Sequence, residues 1–458
     1  MAADAPTPPC GGERLDVLVL YDANSVATEF VAQHLAAMRR HSRHHVHFAA
    51  ATGDRRADFP LDLYDALIVH FSVRMPFDRL SPQFAERIGA FDGPKLLMIQ
   101  DEYDMPAKAC AWIRQLGITV VFTTVPPEFR HAFYPAYAVP GVEFRRCLTG
   151  YVPDQLPTEP VLPIAERPYW LVYRGRKLPL WYGKLAREKF EIGVRMRAVC
   201  RERGIPHDIE WDEDKRITGR QWFAHLARGR ATLGSESGSN VVDFDGSIRA
   251  AVQATLRQRP GLSEEEIYAS HVAPFEGRVR MNQISPKIFE AIALRTGLVL
   301  FEGDYSGVIR ADEHFIPLRK DFANIEDVLR RVADAAHVEG MVARAYEDVV
   351  AGGRYAYRRF VADVDAAIDC RARPRGPRGW VYAAVRCDAP DRVWSAITPH
   401  MPLTWPMPHR DPPKRPLLTG RWREFWLGLP EGTRQALIRV LGPAARLAVR
   451  FRRRLTGR

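Results

Sequence analysis

Several features that would narrow the choice of function are scarce in this chain of 458 residues. Its six cysteines are scattered and form no CxxC pair, so the sequence predicts neither a zinc site nor a disulfide framework. Free thiols of this kind are typical of the reducing cytoplasm. No apolar run reaches the length of about 18 residues that a membrane-spanning helix requires. The first residues lack both a basic start and an apolar segment, so we expect no signal peptide and a cytoplasmic location.

The chain does contain an ordinary supply of core-forming residues and an excess of positive charge. Apolar residues make up 46% of it and charged residues 26%, which suits large folded cores. At about 150 residues per domain, the length predicts two or three domains. The net charge of +11 favours anionic partners, namely nucleotides, phosphates, nucleic acid or an acidic membrane face.

Strand and helix patterns alternate through residues 14–155, whereas residues 1–13 are expected to be disordered. Such alternation predicts a parallel sheet with helices on both faces. The predicted strands are Leu15–Tyr21, Val46–Ala51, Tyr64–His70, Lys95–Ile99 and Ile118–Thr123, and the helices are Val26–Arg39, Pro82–Ala90 and Ala107–Leu116. No GxGxxG motif follows the first strand, so a dinucleotide site there is poorly supported.

Polar side chains fall at the predicted ends of these strands, which is where parallel sheets bind their ligands. They are Asp22, Asn24, Ser25, His70 and the run from Gln100 to Asp104. Taken singly, each is more often a solvated loop residue or a helix cap, but their shared location indicates a site. We take Asp101, Glu102 and His70 as candidates for a catalytic base, should the reaction need one.

A proline-rich stretch at 148–168 predicts a linker, after which a second alternation begins. The predicted elements are the strands Trp170–Tyr173, His207–Trp211 and Ala231–Leu233 and the helices Glu188–Arg203 and Gly219–Arg228. Cations follow the first of these strands: Arg174, Arg176, Lys177, Lys184, Arg187 and Lys189. Arginine offers a planar fork of donors and lysine a point charge, which suits a pyrophosphate. The alternative interpretation is a basic solvated surface.

The loop at 234–240 combines glycines with hydroxyl residues, so its backbone N–H groups could approach a ligand closely. The competing interpretation is a flexible surface loop. Asp243 and Asp245 are spaced as in a DxD metal motif, although that pattern alone is weak evidence. Residues 247–280 predict a helical insertion, in which Ser263 starts a helix with a capping box.

The most informative stretch runs from Ile284 to Leu318. Ser285 and Pro286 predict a helix start, and Gly297 predicts its end in a left-handed cap. Leu298–Phe301 is a short apolar run of the kind found in buried parallel strands. The sequence therefore places a carboxylate, Glu290, early in a helix whose N-terminus can face an anion.

Phe289-Glu290-Ala291, followed by Gly297 and an apolar strand, resembles the donor-site signature of GT-B glycosyltransferases. The resemblance implies an α/β fold of two Rossmann-like, doubly wound domains that face a central cleft. We place an acceptor domain at 14–155, a nucleotide-sugar donor domain at 156–370 and a basic tail at 371–458. Tyr355–Ile368 is then expected to cross back to the first domain, as the last helix often does in this family.

The resemblance also implies roles for individual residues. Arg176 and Lys184 are expected to hold the diphosphate, and Glu290 to contact the ribose. The full predicted donor set is Arg174, Arg176, Lys184, Gly234, Glu236, Ser237, Asn282, Lys287, Glu290, Tyr305 and Ser306. Many retaining members carry a glutamate where this chain has Asn282. We expect no metal and no cofactor, because the cations would stabilise the leaving group themselves.

These observations leave three functional hypotheses. The first is transfer of a sugar from a nucleotide sugar to a glycan or lipid-linked acceptor, as in polysaccharide synthesis. The second is a non-catalytic nucleotide-sugar-binding protein, which the asparagine at 282 motivates. The third is nucleic-acid binding through the tail, although no specific nucleic acid is expected. The segment Glu431–Arg458 also reads as a basic amphipathic helix suited to an anionic membrane face, or as a partly disordered tail.

Overall fold

The computed structural model describes residues 14–57, 59, 61–156 and 161–373, and two parallel sheets dominate it. The first sheet has six strands in the order β2-β1-β3-β4-β5-β6, and every pair in it is parallel. Its elements are β1 (Asp16–Tyr21), α1 (Glu29–His41), β2 (His45–Ala50), β3 (Ala66–Val69), α2 (Pro82–Ala90), β4 (Lys95–Met98), α3 (Pro106–Leu116), β5 (Val120–Thr123), α4 (Arg130–Phe133) and β6 (Glu143–Arg146).

The central strands of this sheet are buried along almost their whole length, because helices cover both faces. That burial explains why continuous apolar runs predicted them correctly. Strand β6 was not predicted, because its sequence EFRR contains three charged residues and only one apolar one. As the edge strand of the sheet it is only partly buried, so no apolar run marks it.

The second sheet has five parallel strands in the order β11-β10-β9-β7-β8. Its strands are β7 (Tyr169–Arg174), β8 (His207–Glu210), β9 (Gly229–Gly234), β10 (Gly297–Phe301) and β11 (Ile316–Leu318). The helices around it are α5 (Gly183–Glu202), α6 (Arg220–Ala227), α7 (Ser247–Gln258), α8 (Glu264–His271), α9 (Pro286–Ala293), α10 (Ile325–Ala333) and α11 (Ala335–Tyr346). Helices α7 and α8 confirm the predicted insertion, and Ser263 with Glu266 forms the predicted capping box.

The last described helix, α12 (Tyr357–Asp369), packs in the core of the first sheet, as the resemblance implies. Phe360, Val361 and Val364 are buried there. The carboxylate of Asp365 also accepts a hydrogen bond of 2.8 Å from the backbone N–H of Arg43. We call residues 14–150 together with α12 the front lobe, and residues 164–346 the rear lobe. The front lobe thus takes its last helix from within the range predicted for the donor domain.

The predicted role of Gly297 as a helix cap is wrong. Arg295 adopts the left-handed conformation after α9, with φ of 51°, and Gly297 is the first residue of β10. A Cβ atom at Gly297 would lie 2.8 Å from Val338 and 2.9 Å from the carbonyl oxygen of Arg230. Glycine is therefore required there for close packing of the strand rather than for a turn.

Each sheet reverses its winding once, between β1 and β3 in the front lobe and between β7 and β9 in the rear lobe. Ligands of open parallel sheets bind beyond the strand ends at such points. Among the described residues, no helix is both long and apolar enough to cross a membrane. The predicted disordered segment 1–13 and all but the first residues of the predicted tail lie outside the described residues.

Candidate functional site

A pocket of about 80 Å³ opens at the carboxyl ends of β7 and β9, and we call it the rear pocket. Its lining includes two lysines, four small hydroxyl residues and two polar aromatic residues, namely Lys189, Lys287, Thr232, Ser235, Ser237, Ser285, Tyr173 and Trp222. Helix α9 begins at this pocket, so its dipole favours an anion there, although Pro286 has no N–H and the N–H of Ile288 is bonded to the carbonyl oxygen of Ser285 at 3.0 Å. Complete ligand sites occupy about 300 Å³ or more, so the rear pocket is sized for a phosphate group rather than for a whole nucleotide.

The two lysines of the rear pocket are not neutralised by a carboxylate bonded to either ammonium. The Nζ of Lys287 donates to the carbonyl oxygen of Arg174 at 2.9 Å. Within the described chain, the Lys189 ammonium has no hydrogen-bond partner. Desolvation by the surrounding protein lowers the pKa of Lys287 to about 8, although its side chain stays open to solvent. Lys189 lowers that pKa further, so the pocket concentrates positive charge that an anion would relieve.

Glu290 lies next to this pocket but does not line it. Its carboxylate is buried and accepts a hydrogen bond of 2.7 Å from the indole Nε1 of Trp222, whose ring does line the pocket. Burial raises the pKa of Glu290, while the bond from Trp222 and the charge of Lys287 oppose that rise. The structure therefore places Glu290 close to the rear pocket. It also bonds Glu290 to Trp222, which was not among the residues predicted from the sequence.

Three further predicted donor residues are brought together as a hydrogen-bonded wall. Glu236 Oε1 accepts from the backbone N–H groups of Asp304 at 3.1 Å and Tyr305 at 2.9 Å. Its other oxygen accepts from the side-chain amide of Asn282. The Oδ1 of Asn282 in turn accepts from Asn240 at 2.9 Å. Because these groups bond to one another, their first role is to hold the loops that follow β9 and β10.

The remaining loop residues of the predicted set join the same wall. The backbone of Ser237 pairs with that of Gln283 in both directions, at 2.7 and 2.8 Å. Ser306 accepts the N–H of Ile284 at 3.1 Å. Gly234 lines the rear pocket, and a Cβ atom there would lie 2.7 Å from Leu300. Ser237 and Gly234 are therefore part of the pocket, whereas Ser306 is not among its lining residues and bonds to the segment that precedes α9.

The predicted arginines of the rear lobe do not line the rear pocket. Arg174 pairs with the carboxylate of Asp208 at 2.7 Å and also donates to its carbonyl oxygen at 3.1 Å, which fastens β7 to β8. Arg176 is exposed in the loop after β7. Their predicted role in donor binding therefore stays a prediction, and the positions of the two side chains do not support it.

Lys184 is also outside the rear pocket. Its ammonium lies 5.8 Å from the centre of the Tyr268 ring. Its backbone N–H donates to a carboxylate oxygen of Glu276 at 3.0 Å, so the start of α5 already has an anion bound to it. A Cβ atom at Gly183 would lie 2.6 Å from that carboxylate, which makes glycine necessary for this contact.

A larger cavity of about 230 Å³ opens at the carboxyl ends of β1, β3 and β4, and we call it the front cavity. Its walls are mainly apolar and include Phe30, Phe71, Met75, Phe77 and Leu97. Its polar lining includes Ser25, Thr28, Arg74, Gln100 and Asp101. The front lobe therefore offers a recess with apolar walls and a few hydrogen-bonding groups, the usual composition of a small-molecule site.

His70 lines the front cavity, but both of its ring nitrogens are engaged. Its Nδ1 accepts the N–H of Ser72 at 3.2 Å, so its Nε2 must carry the proton, which it donates to Nδ1 of His34 at 3.0 Å. Burial lowers the pKa of His34 to about 3 and that of His70 well below its usual value. A histidine with no free nitrogen is a poor candidate for a base, so this geometry does not favour the predicted role of His70.

The two predicted carboxylate bases face in different directions. Asp101 is exposed, lines the front cavity and accepts a hydrogen bond of 2.8 Å from the hydroxyl of Tyr103. Glu102 is 1% exposed and is held by Tyr134 at 2.9 Å and by the hydroxyl of Thr124 at 2.7 Å. Burial raises the pKa of Glu102 to about 7. Because Glu102 is buried inside the front lobe, only Asp101 of the two opens onto the front cavity.

The lobes contact each other beside these two recesses. Asp104 of the front lobe pairs with Arg249 and accepts a bond of 2.6 Å from the hydroxyl of Tyr182, both from the rear lobe. The negative charge of Asp101 also acts on Lys189 across the gap, and it opposes the lowering of the Lys189 pKa by burial. Since Asp101 lines the front cavity and Lys189 lines the rear pocket, the two recesses lie near one another, as the predicted central cleft requires.

The aspartates of the DxD pattern have structural roles. The carboxylate of Asp243 accepts the N–H groups of Ile248 at 3.0 Å and Arg249 at 2.9 Å, so it caps the start of α7. Asp245 accepts the N–H of Ser247 at 3.0 Å. Within the described residues, no group of three or more His, Cys, Asp and Glu side chains is arranged to hold a metal ion.

Comparisons with known proteins find similarity only in shape. No family model matches the chain, and no curated protein matches it. Among solved structures, the β-glucosyltransferase of phage T4 is 9% identical, with a TM-score of 0.47 over 78% of this chain and 100% of that one. Sucrose-phosphate synthase from Thermosynechococcus elongatus is 12% identical, with a TM-score of 0.41 over 77% and 98%. TarM is 10% identical, with a TM-score of 0.37, and the match spans 66% of this chain but only 54% of TarM. Overlaps this weak carry no argument about activity.

Proposed function

We propose that this chain is a glycosyltransferase that moves a sugar from a nucleoside-diphosphate sugar to a hydroxyl acceptor. The observation that carries the proposal is the pair of ammonium groups of Lys189 and Lys287 at the rear pocket. Two neighbouring cations without a bonded carboxylate need an anion, and hydroxyl groups and a helix N-terminus surround them. The pocket has the size of a phosphate group and lies where parallel sheets bind nucleotides.

The proposed chemistry uses groups from both lobes. The acceptor oxygen attacks the anomeric carbon of the sugar, and the bond from that carbon to the phosphate oxygen breaks. Asp101 takes the proton of the acceptor hydroxyl, because its exposed carboxylate faces the gap between the lobes. The negative charge that develops on the leaving diphosphate is stabilised by Lys189 and Lys287, which lie there before the reaction starts.

The acceptor is proposed to enter the front cavity. Its aromatic walls, including Phe30, Phe71 and Phe77, suit the apolar face of a sugar ring or the first part of a lipid-linked acceptor. Gln100 and Ser25 offer hydrogen bonds to hydroxyl groups. A role in polysaccharide synthesis and attachment to a membrane surface through the tail stay predictions, because the tail has no described structure.

A non-catalytic nucleotide-sugar-binding protein is the second candidate, and one observation favours it. Asn282 replaces the glutamate of the resemblance, and its amide is bonded to Glu236 on one side and to Asn240 on the other. Glu290 is likewise engaged by Trp222. In the part of the rear pocket that the structure describes, no carboxylate is among the lining residues, so the rear lobe alone offers little for chemistry on the sugar.

Calorimetric titration with UDP-, GDP- and TDP-sugars tests the proposal. We expect one of them to bind, and we expect the double variant Lys189→Ala with Lys287→Ala to lose about 100-fold in affinity because both phosphate-facing charges are gone. The double variant Arg176→Ala with Lys184→Ala removes the same charge from exposed side chains, and should stay within about threefold of the unchanged protein.

Absence of binding by every nucleotide sugar would count against both candidates. An equal loss in the two double variants would mean that net charge, rather than the rear pocket, holds the donor. Release of free sugar from the bound donor, abolished by Asp101→Asn, separates the enzyme from the binding protein, which should hold the donor without turnover.

A further inference from the structure

Trp222 stands between a buried carboxylate and a lysine of the rear pocket. It lies on α6, whereas Glu290 and Lys287 lie three residues apart on α9. The indole Nε1 of Trp222 donates to Glu290 at 2.7 Å, and the ammonium of Lys287 lies 5.0 Å from the centre of the Trp222 ring. The indole is 7% exposed and is part of the pocket lining. One aromatic side chain thus connects the carboxylate to the cation.

The hydrogen bond between Trp222 and Glu290 makes it costly for Glu290 to reach a ribose. The carboxylate is only 7% exposed and is absent from the lining of the rear pocket. To bind a ribose hydroxyl, it would have to break or share the bond from Trp222 and leave a buried indole N–H without an acceptor. Buried donors without partners are strongly disfavoured, so this rearrangement opposes ribose binding.

Trp222 is also placed to fix the direction of Lys287. A lysine side chain is flexible, and an ammonium group does not aim itself at a ligand. Lys287 is held at two points, by the carbonyl oxygen of Arg174 at 2.9 Å and by the face of the Trp222 ring. A cation over an aromatic face is attracted to it, and the position of that face depends on the bond to Glu290.

We infer that Trp222 is a positioning residue that directs the ammonium of Lys287 at the diphosphate, and that Glu290 acts through Trp222 rather than on the ribose. The inference rests on the proposed function, because it requires the rear pocket to bind the diphosphate. It changes the role that the GT-B resemblance implies for Glu290, since the carboxylate then serves the phosphate subsite.

Binding of two probes separates the two roles of Glu290. Inorganic pyrophosphate lacks a ribose and reports only on the phosphate subsite, whereas UDP carries both groups. Calorimetry at pH 6.5, where Lys287 is protonated, is carried out on the full chain and on Trp222→Phe, Glu290→Ala and Glu290→Gln. Glutamine keeps an oxygen that can accept the indole N–H, so Glu290→Gln is the conservative rescue. Thermal melting curves show which variants fold.

We expect Trp222→Phe and Glu290→Ala to weaken pyrophosphate and UDP alike, by about tenfold, and Glu290→Gln to restore both to within about threefold. The inference is overturned if Glu290→Ala weakens UDP but leaves pyrophosphate unchanged, or if Trp222→Phe binds both as the unchanged protein does. If Trp222→Phe does not fold, the comparison of Glu290→Ala with Glu290→Gln still tests the inference. If the unchanged protein binds pyrophosphate but no nucleotide, the proposed function is contradicted. The pyrophosphate titrations of the variants then still test the role of Trp222.

Discussion

The two sheet edges carry similar residues but differ in how completely those residues are satisfied. At the front edge, the carboxylate of Asp22 takes hydrogen bonds from the hydroxyl groups of Ser25 and, at 2.7 Å, of Thr52. His70 and Glu102 are bonded just as fully. At the rear edge, two lysines share a pocket without a bonded carboxylate. A polar residue at a strand end is therefore not by itself a sign of a binding site. A charged side chain without a bonded counter-charge is a better sign.

The same comparison shows that the two recesses differ in chemical character. The front cavity has aromatic and aliphatic walls, which suit a ligand bound by shape and apolar contact. The rear pocket is small and cationic, which suits a ligand bound through its negative charge. Asp101 faces the gap between them and acts on Lys189 from the opposite lobe. The proposed catalytic carboxylate and the proposed phosphate site thus come from different lobes.

The largest predicted effect concerns the buried ion pair where the two lobes touch. Asp104 is 1% exposed and pairs with Arg249, so replacing it by alanine leaves a guanidinium without its carboxylate. We expect Asp104→Ala to lower the free energy of unfolding by about 3 to 5 kcal/mol. Urea unfolding followed by circular dichroism measures this loss.

An exposed pair in the front lobe provides the control for Asp104. Asp78 bonds to Lys108 at 2.5 Å, but both side chains are largely open to water. Asp78→Ala should therefore cost less than about 1 kcal/mol. Similar losses in the two variants would show that the contact between the lobes adds no more than an ordinary surface pair.

A smaller effect is expected from the charge of Lys287. Its pKa is lowered to about 8, so the ammonium loses its proton, and the rear pocket loses a charge, as the pH rises from 7 to 9. Affinity for the nucleotide sugar should then fall by about tenfold over that range, because each protonation that binding requires contributes at most one decade per pH unit. Calorimetry at several pH values gives the curve.

Arginine at the same position stays charged throughout this range and should flatten the curve, even if the affinity of Lys287→Arg at pH 7 is lower. Lys177→Arg, an exposed control on the same lobe, should leave the fall in place. If Lys287→Arg shows the same decline as the unchanged protein, then another group controls binding, and Lys189 is the next residue to replace.

The sequence predicted the sheets well because burial on both faces produces apolar runs. The strands found at β1, β3, β4, β7 and β10 all match such runs, and the Rossmann-like architecture of both lobes is confirmed. The failures occurred where local signals compete with tertiary packing. Gly297 could cap a helix, but Arg295 takes the left-handed conformation there. Strand β6 has a charged sequence and is held by its neighbour rather than by its own apolar content.

The site was harder to predict, because the sequence contains several side chains of the same charge and only some of them line the rear pocket. Lys184 and Lys189 stand in the same run of cations and on the same helix, α5, but only Lys189 lines the rear pocket. Trp222 carried no sequence signal, because a buried indole needs an acceptor that lies 68 residues away in the chain. Charge type and region were predictable, whereas the pairing of individual groups required the tertiary structure.

The smallest predicted effect concerns the histidines beside the front cavity and the pH dependence of stability. Burial lowers the pKa of His34 to about 3 and that of His70 well below its usual value. The unfolded chain therefore takes up protons first as the pH falls, so the stability from this pair is fully present well above pH 6.5, the usual pKa of histidine, and decreases as the pH falls through that value. The two residues together should reduce the free energy of unfolding by about 1 kcal/mol between pH 7 and pH 6.

Replacement of one histidine tests whether this pair causes the pH dependence. His34→Gln keeps an oxygen that accepts the proton on Nε2 of His70 but removes one titrating group, so the decrease should be about half as large. His131→Gln changes an exposed histidine and should leave the decrease as it is. Urea unfolding at the two pH values measures all three proteins. A decrease that persists in full in His34→Gln would mean that the front edge is not a closed, neutral network, and the contrast with the charged rear pocket would have to be abandoned.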